Sequence, residues 1–494
     1  MRRRRTLITL AAVAALAAAC APERQARRTR DALPITLPDD WSAAPGDTAA
    51  PPPGWWRDFG GERLEALIIE AQLANPDVHA TAARLAAADA LVDVVGADRA
   101  PQLGVGLDRS RTRQVFIGLP IPGSSVASST TDRYDLSLDA SWEIDLWGRL
   151  AAAEGAAAGE AAAAAADLLA ARLSLTGAVV RAWVGLVEAD QQLRLAEANL
   201  DAWSSSRELV ERRYRSGLRS AVDLRLLRAS EAAAAARLAT RGQARHDARR
   251  ALELLLGRYP SADLLGGDAL PELDTLAPAG LPALLLARRP DLAAAELRLA
   301  AAELRVDVAR AAFYPRFALT GSYGTTTEHL DDLLDGDFRA WSLAGRLVQP
   351  LFEGGRLQAR VVEADARAAE ALALFTGSVL RACAEVETAL DAEAWLAERE
   401  AELEVAARES RGGADLARDR YARGLLDVIT LLETERGAQD AEIALLSVRR
   451  ARLDARVDLI LALGGGFDAA ADMTADADDV DAVQAASPRP ETRP

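Results

Sequence analysis

From Tyr134 to Ile144 every second residue is apolar: Tyr134, Leu136, Leu138, Ala140, Trp142 and Ile144. The residues between and after them, Asp135, Ser137, Asp139, Ser141, Glu143 and Asp145, are acidic or hydroxylic. Side chains along a strand point to opposite faces in turn, so the run predicts a strand with one apolar, aromatic face and one wet face. Shorter echoes follow the same rule at Leu103, Val105 and Leu107, at Phe317, Leu319 and Tyr323, and at Trp341, Leu343 and Leu347. A half-buried sheet in a soluble domain alternates in this way too. The length and the aromatic content also match a transmembrane β-strand with lipid outside and water inside. Two hairpins make four strands, and closed bacterial barrels start at about eight. Such a sheet closes only by association of several chains.

Between the strands the period changes from two to seven. Val179, Leu186, Leu193 and Leu200 recur every seventh residue, with Ala182, Ala189, Ala196 and Trp203 three further on. Val379 and Val386 do the same beside Ala382, Ala389, Leu396 and Leu403, and the last helical stretch carries Leu446, Leu453 and Ile460. Large and small residues in neighbouring seams predict close, coiled-coil-like packing of long helices. No proline interrupts Arg149–Tyr259 or Leu351–Ser487. A helix over Arg149–Arg213 would extend about 95 Å at 1.5 Å per residue.

The chain is written twice. Asn75-Pro76-Asp77 recurs as Arg289-Pro290-Asp291, and Pro101 recurs as Pro315, both 214 residues on (290 − 76; 315 − 101). Leu146-Trp147-Gly148-Arg149 matches Glu353-Gly354-Gly355-Arg356. Tyr214-Arg215-Ser216-Gly217-Leu218 matches Tyr421-Ala422-Arg423-Gly424-Leu425, and Leu256-Gly257 matches Leu463-Gly464, all 207 residues on (424 − 217). Landmarks kept in order, with one shift of seven, predict a duplicated helix–strand–strand–long helix–helix unit. The expected division is a first repeat at 61–257 with its hairpin at 101–145, a linker at 258–280, and a second repeat at 281–466 with its hairpin at 315–350. Helices are expected at about Glu62–Asp98 and Leu281–Ala312 ahead of the strands. Pro101 and Pro315 turn helix into strand, Gly148 and Gly354-Gly355 turn strand into helix, and Gly217 and Gly424 break the long helices.

The N-terminus adds an address. Arg2–Arg5, an apolar stretch at Leu7–Ala19 and small residues Ala17-Ala18-Ala19 before Cys20 are similar to a bacterial lipoprotein signal. Residues 1–19 are then removed and Cys20 is acylated, while 20–60, rich in proline, forms an extended tether. Residues 467–494 are expected to form an acidic, disordered tail. No later segment offers eighteen uninterrupted apolar residues, so a membrane crossing falls to the strands.

Composition narrows the function. The 494 residues include no lysine, and the net charge is −16, which argues against a nucleic-acid surface. His79, His246 and His329 lie far apart, and neither a His-Glu-x-x-His nor a phosphate-loop pattern occurs. Gly104-Val105-Gly106 lacks the third glycine of a dinucleotide fingerprint. No catalytic residue, metal site or cofactor is expected. Cys383, in an alanine-rich helical run, reads as a small buried hydrophobe.

Taken together, Trp56-Arg57-Asp58-Phe59, Asn75-Pro76-Asp77, Arg288-Arg289-Pro290-Asp291, Phe313-Tyr314-Pro315, Gln349-Pro350-Leu351-Phe352-Glu353-Gly354-Gly355-Arg356 and Tyr421-Ala422-Arg423-Gly424 resemble TolC/OprM-type outer-membrane efflux proteins. The likeness is to the lipidated, NodT-like branch that serves RND pumps, and it covers about Pro53–Gly466. It implies a mostly α fold with a transmembrane β-barrel contribution: a homotrimer with a twelve-stranded barrel in the outer membrane and a periplasmic α-helical tunnel. The implied partners are a periplasmic adaptor and an inner-membrane RND transporter, with outer-membrane lipid around the barrel. A protein-secretion duct shares the fold, and a periplasmic coiled-coil scaffold would share the helices. The resemblance also implies a gate where Gly217 and Gly424 break the helices at the periplasmic tip. Counted from Gly424, Ile429 and Glu433 fall at the constriction, and Asp223 and Tyr421 form a hydrogen-bonded lock. The arginine that some members carry two residues after the second glycine is Leu426 here.

Overall fold

A computed structural model describes residues 34–43, 51–52, 54–117, 127–272, 282 and 285–466. Cys20, the signal segment and the 467–494 tail lie outside the described residues. The helices are α1 (Arg57–Ala74), α2 (Pro76–Gly96), α3 (Arg149–Arg215), α4 (Ala221–Leu255), α5 (Pro290–Ala311), α6 (Arg356–Ala422) and α7 (Val428–Ala462). The strands are β1 (Gln102–Phe116), β2 (Ala127–Ile144), β3 (Arg316–Thr327) and β4 (Arg339–Val348). Packing does not follow the two sequence copies. Among the described residues, one compact unit takes 86–163 and 295–375, and the other takes 34–85, 164–294 and 376–466. Each unit therefore draws on both copies.

The helix expected over Glu62–Asp98 is two helices. Asn75, ahead of a proline, is pushed to an extended backbone (φ −71°, ψ 124°), which ends α1. Its Oδ1 accepts the Asp77 N–H at 2.9 Å, and Pro76 opens α2, where no donor is needed. The second copy repeats the break: one turn at Leu285–Arg288, then α5 from Pro290. The long helices agree residue for residue between the copies. α3 and α6 are both 67 residues long, and α4 and α7 are both 35. By length and composition α3 contains a stretch apolar enough for a membrane span, with mean hydropathy 1.5 and 44% of it buried.

In the first unit the strands form one antiparallel sheet in the order β1-β2-β3-β4. The ladders are unbroken: Leu107 faces Leu136, Leu138 faces Tyr323, and Tyr323 faces Trp341. One face therefore gathers Val105, Leu138, Leu319 and Leu343, and the other Asp108, Ser137, Asp139, Ser322 and Ser342. The apolar run from Leu136 to Ile144 spans about 27 Å at 3.3–3.4 Å per residue, near the height of a lipid-facing band. The helical end of the sheet is fastened by Trp147, which stacks on Tyr314 at 5.0 Å and donates its Nε1–H to the Pro315 carbonyl at 2.7 Å. Trp142 donates to the Arg99 carbonyl at 2.8 Å, and Gln349 to that of Phe313 at 2.9 Å. Below them the helices come close through small residues: a Cβ on Gly159 would lie 3.1 Å from that of Ala301.

The second unit is helical, with Trp55, just ahead of α1, and Phe59, Leu64 and Ile68 of α1 packed among Val179, Val180, Leu186, Leu252 and Val457. The Asn-Pro-Asp and Arg-Pro-Asp motifs close it. Asn75 donates its Nδ2–H to the Leu255 carbonyl at 3.0 Å, and Arg289 donates to the Ala462 carbonyl at 3.2 Å, capping α4 and α7. The chain then turns at Gly257 (φ +69°) and Gly464 (φ +93°). Any Cβ there would stand 2.4 Å from the Ala74 carbonyl oxygen and 2.1 Å from that of Arg288, so only glycine fits. Past Gly257, the buried Glu253 carboxylate accepts the backbone N–H groups of Ala262 and Asp263 at 2.7 and 2.8 Å and folds the linker back.

A ladder of ion pairs joins α6 to α7. Glu393 meets Arg456, Glu400 meets Arg449 and Arg452, Arg411 meets Glu442, and Arg418 meets Glu435. The α7 partners Arg456, Arg449, Glu442 and Glu435 stand seven residues apart, and the sign of the pairs reverses halfway. Sliding α7 by one heptad would set Glu442 against Glu400, or Arg449 against Arg411. The ladder therefore specifies one register.

Candidate functional site

Both copies turn at Tyr-x-x-Gly, and the turns are built alike. Gly217 (φ +71°) and Gly424 (φ +81°) occupy the left-handed region that ends a helix. Gly217 donates to the Tyr214 carbonyl and Leu218 to that of Arg213, while Gly424 donates to Tyr421 and Leu425 to Arg420. The next helix is then capped, by the Ser220 hydroxyl accepting from the Asp223 N–H at 3.2 Å and by the Asp427 carboxylate accepting from the Thr430 N–H at 2.9 Å. Those hydrogen bonds from Thr430 hold the Asp427 carboxyl below its ordinary pKa.

The two tyrosines have opposite fates. Tyr214 is 43% exposed, but Tyr421 is 1% exposed, in a cluster with Trp203, Leu224, Leu227 and Leu431. The hydrogen bond expected between Asp223 and Tyr421 is not formed within the chain. The Tyr421 hydroxyl is buried and has no hydrogen-bond partner among the described residues. Burial pushes the phenol pKa up, the nearby Arg219 charge lowers it, and the Asp223 charge raises it again, so the carboxylate is near without being bonded. Two arginines occupy the tyrosine instead, Arg219 with its guanidinium 4.9 Å from the ring centroid and Arg213 at 5.8 Å.

These arginines also link the two turns. Arg213 donates to the Tyr421 carbonyl at 2.9 Å and to that of Ala422, at the negative end of α6. Arg219 donates to the Leu426 carbonyl at 3.3 Å. The sequence reading missed both residues, although Arg219 stands two residues after Gly217. The arginine absent at Leu426 is supplied by the other copy.

Ile429 and Glu433 are exposed and lie four residues apart, on one face of α7. Glu433 has neither an ion pair nor a hydrogen-bond partner among the described residues. The matching positions of α4 are Val222 and Leu226, also exposed, so Glu433 is the acid of its pair of positions. The structure does not bring Ile429 or Glu433 against Asp223 or Tyr421. Leu431 and Leu432, by contrast, face the buried cluster. Among the described residues no group of three or more His, Cys, Asp or Glu side chains could hold a metal ion.

The chain matches the family model described as outer membrane efflux protein over residues 67–258 and 281–465. It is 33% identical over 449 residues to a pyoverdine export outer membrane protein, OpmQ, of Pseudomonas putida, covering 89% of this chain and 94% of that one. It is 33% identical to the outer membrane protein OprJ of Pseudomonas aeruginosa, with 89% and 92% covered. Among solved structures it superposes on the outer-membrane channel OprN with a TM-score of 0.82 at 32% identity, covering 90% of this chain and 99% of that one.

Proposed function

The chain belongs to the outer membrane efflux protein family, and from that premise we propose that three copies close their sheets into a twelve-stranded barrel. The chain is an outer-membrane efflux channel subunit that extends into the periplasm. The proposed duct receives small solutes from an inner-membrane RND-type transporter through a periplasmic adaptor and passes them outward without chemistry of its own. A relative named for pyoverdine export supports a small-solute cargo.

The observation that carries the trimer is the two-faced sheet with open edges. β1 and β4 each pair on one side alone, and unpaired backbone groups are not tolerated against lipid. Three sheets of four strands leave no edge. The test is a pair of substitutions on opposite faces: Leu138→Arg, on the apolar face, should destabilise the inserted barrel by about 2–4 kcal/mol near the midplane, while Ser137→Arg should be tolerated. Heat-resistant trimers recovered from membranes read both. Equal loss in the two variants would show that the faces are not lipid and water.

Tip closure is assigned to Arg213, Arg219 and Tyr421, with Asp223 beside them, and the constriction to Ile429 and Glu433. Anchoring is assigned to an acyl chain on Cys20. Labelled fatty acid should mark the natural chain and not Cys20→Ser, and equal labelling would remove the anchor from this account. Loss of the lipid should release little assembled protein, because the barrel holds the membrane far more firmly than acyl chains do.

A further inference from the structure

The β1–β2 ladder runs past the apolar band without a bulge, from Gln102↔Ser141 to Phe116↔Ala127. The face that carries Leu103, Val105 and Leu107 therefore continues as Arg109, Arg111 and Arg113. The change comes at the pair Arg109↔Tyr134, one step beyond the level where Leu107 faces Leu136. Tyr134, the β2 partner of Arg109, is the aromatic residue at this step, whereas the pair Tyr323↔Trp341 lies level with Leu138 inside the apolar band. This end of the sheet carries the hairpin connections, and the helices leave from the other. In an outer-membrane channel whose helices extend into the periplasm, the arginine row thus stands at the outer leaflet, on the side that faces lipid.

The row is under-neutralised. Arg109 and Arg111 share one carboxylate, Asp132, at 3.9 and 3.7 Å, and their side chains are 62% and 66% exposed. Arg113 donates to the Ser128 hydroxyl at 3.3 Å. Arg109 also lies over the Tyr134 ring at 5.4 Å, which holds its guanidinium at the rim. Successive arginines on one face sit about 7 Å apart along the strand. On the other face Arg133 is differently placed, bonded to Asp135 at 2.8 Å among polar neighbours. Charge is sorted by face, with excess positive charge where a headgroup would lie.

We infer that Arg109, Arg111 and Arg113 form a binding site for a phosphorylated lipid headgroup of the outer leaflet. Guanidinium groups match phosphate oxygens in geometry and charge, and such bonds strengthen where apolar surface excludes water from one side. The site rests on the lipid-facing assignment of this sheet face.

The test uses full-length trimers, stripped of lipid in detergent and titrated with a phosphorylated glycolipid such as lipid A under native mass spectrometry. The triple variant R109Q/R111Q/R113Q should bind at least about tenfold more weakly. R133Q should bind like the natural chain, and the dephosphorylated glycolipid should not bind. Arg111→Gln alone should give an intermediate loss, which keeps the measurement available if the triple variant yields no trimer. Equal binding by natural and variant trimers overturns the inference, and so does displacement by inorganic phosphate at the glycolipid concentration, which would mark a site for the free anion. The contrast between Leu138→Arg and Ser137→Arg separates two failures. If that contrast holds while lipid binding is unchanged, the headgroup site falls and the channel assignment stands.

Discussion

At the scale of single residues, the tip turns on what Tyr421 does with its ring and its hydroxyl. The ring is flanked by Arg219 and Arg213, while the hydroxyl is buried without a partner. Burying an unbonded hydroxyl costs about 1–3 kcal/mol, so Tyr421→Phe should leave thermal stability unchanged or raise it. The same variant should leave single-channel conductance unchanged. Arg219→Ala and Arg213→Ala remove the hydrogen bonds to Leu426, Tyr421 and Ala422, so each should raise the conductance of closed trimers. A rise in Tyr421→Phe equal to that in Arg219→Ala would show that the hydroxyl carries the lock after all. Leucine stands at 426, where the resemblance leads one to look for an arginine. The structure instead brings Arg219 in from the first copy, 202 residues before Tyr421 in sequence (421 − 219). Such a contact follows from how two helix turns dock, and no local pattern encodes it.

At the scale of elements, periodicity made the helices and strands legible, and chemistry hid part of their packing. The seam Val179, Leu186, Leu193 is readable because every member is apolar, and all three are buried. Its second-copy equivalent continues Val379 and Val386 into Glu393 and Glu400, where an apolar-seam reading stops. The structure carries the seam on, with Glu393 2% exposed and bonded to Arg456 at 8%. The partner lies 63 residues away on an antiparallel helix (456 − 393), beyond the reach of heptad counting. The break at Asn75 was missed for a simpler reason: its proline was read as a landmark of the repeat and not as the first residue of a new helix. The buried pair predicts an asymmetry between single and double substitutions. Glu393→Gln removes the carboxylate that Arg456 is bonded to and leaves the arginine charge buried, and should destabilise the α6–α7 hairpin by about 3–5 kcal/mol. Glu393→Leu with Arg456→Leu restores the leucine found at the matching Leu186 and should cost far less. Hydrogen exchange of the α7 amides near Arg456 measures both. Equal loss of protection in the two variants would mean that the pair adds no more than ordinary packing.

At the scale of the whole molecule, one chain supplies four strands and one exposed Glu433, and threefold closure multiplies both. Strand count was readable from alternation alone, and it led to association because an open sheet cannot stand in lipid. The consequence at the tip follows from the same symmetry. Three Glu433 carboxylates would converge on one axis, each without an ion-pair partner among the described residues of its own chain. Glu435, two residues on, is buried and paired with Arg418, so it does not contribute. Like charges held close repel, and a cation between them relieves the repulsion, more so for a divalent ion. Ile429, one turn earlier, would add an apolar collar that resists wetting. Current through purified trimers in planar bilayers should therefore be blocked by millimolar divalent cations from the periplasmic side. Glu433→Gln, which keeps the shape and removes the charge, should weaken that block several-fold with little change in conductance without divalents. Ile429→Ser should raise conductance without altering the block, because it eases wetting and leaves the charge in place. If Glu433→Gln trimers conduct normally and are blocked as strongly as the natural chain, the acidic constriction lies at other residues and the α7 face at Ile429 and Glu433 does not line the pore.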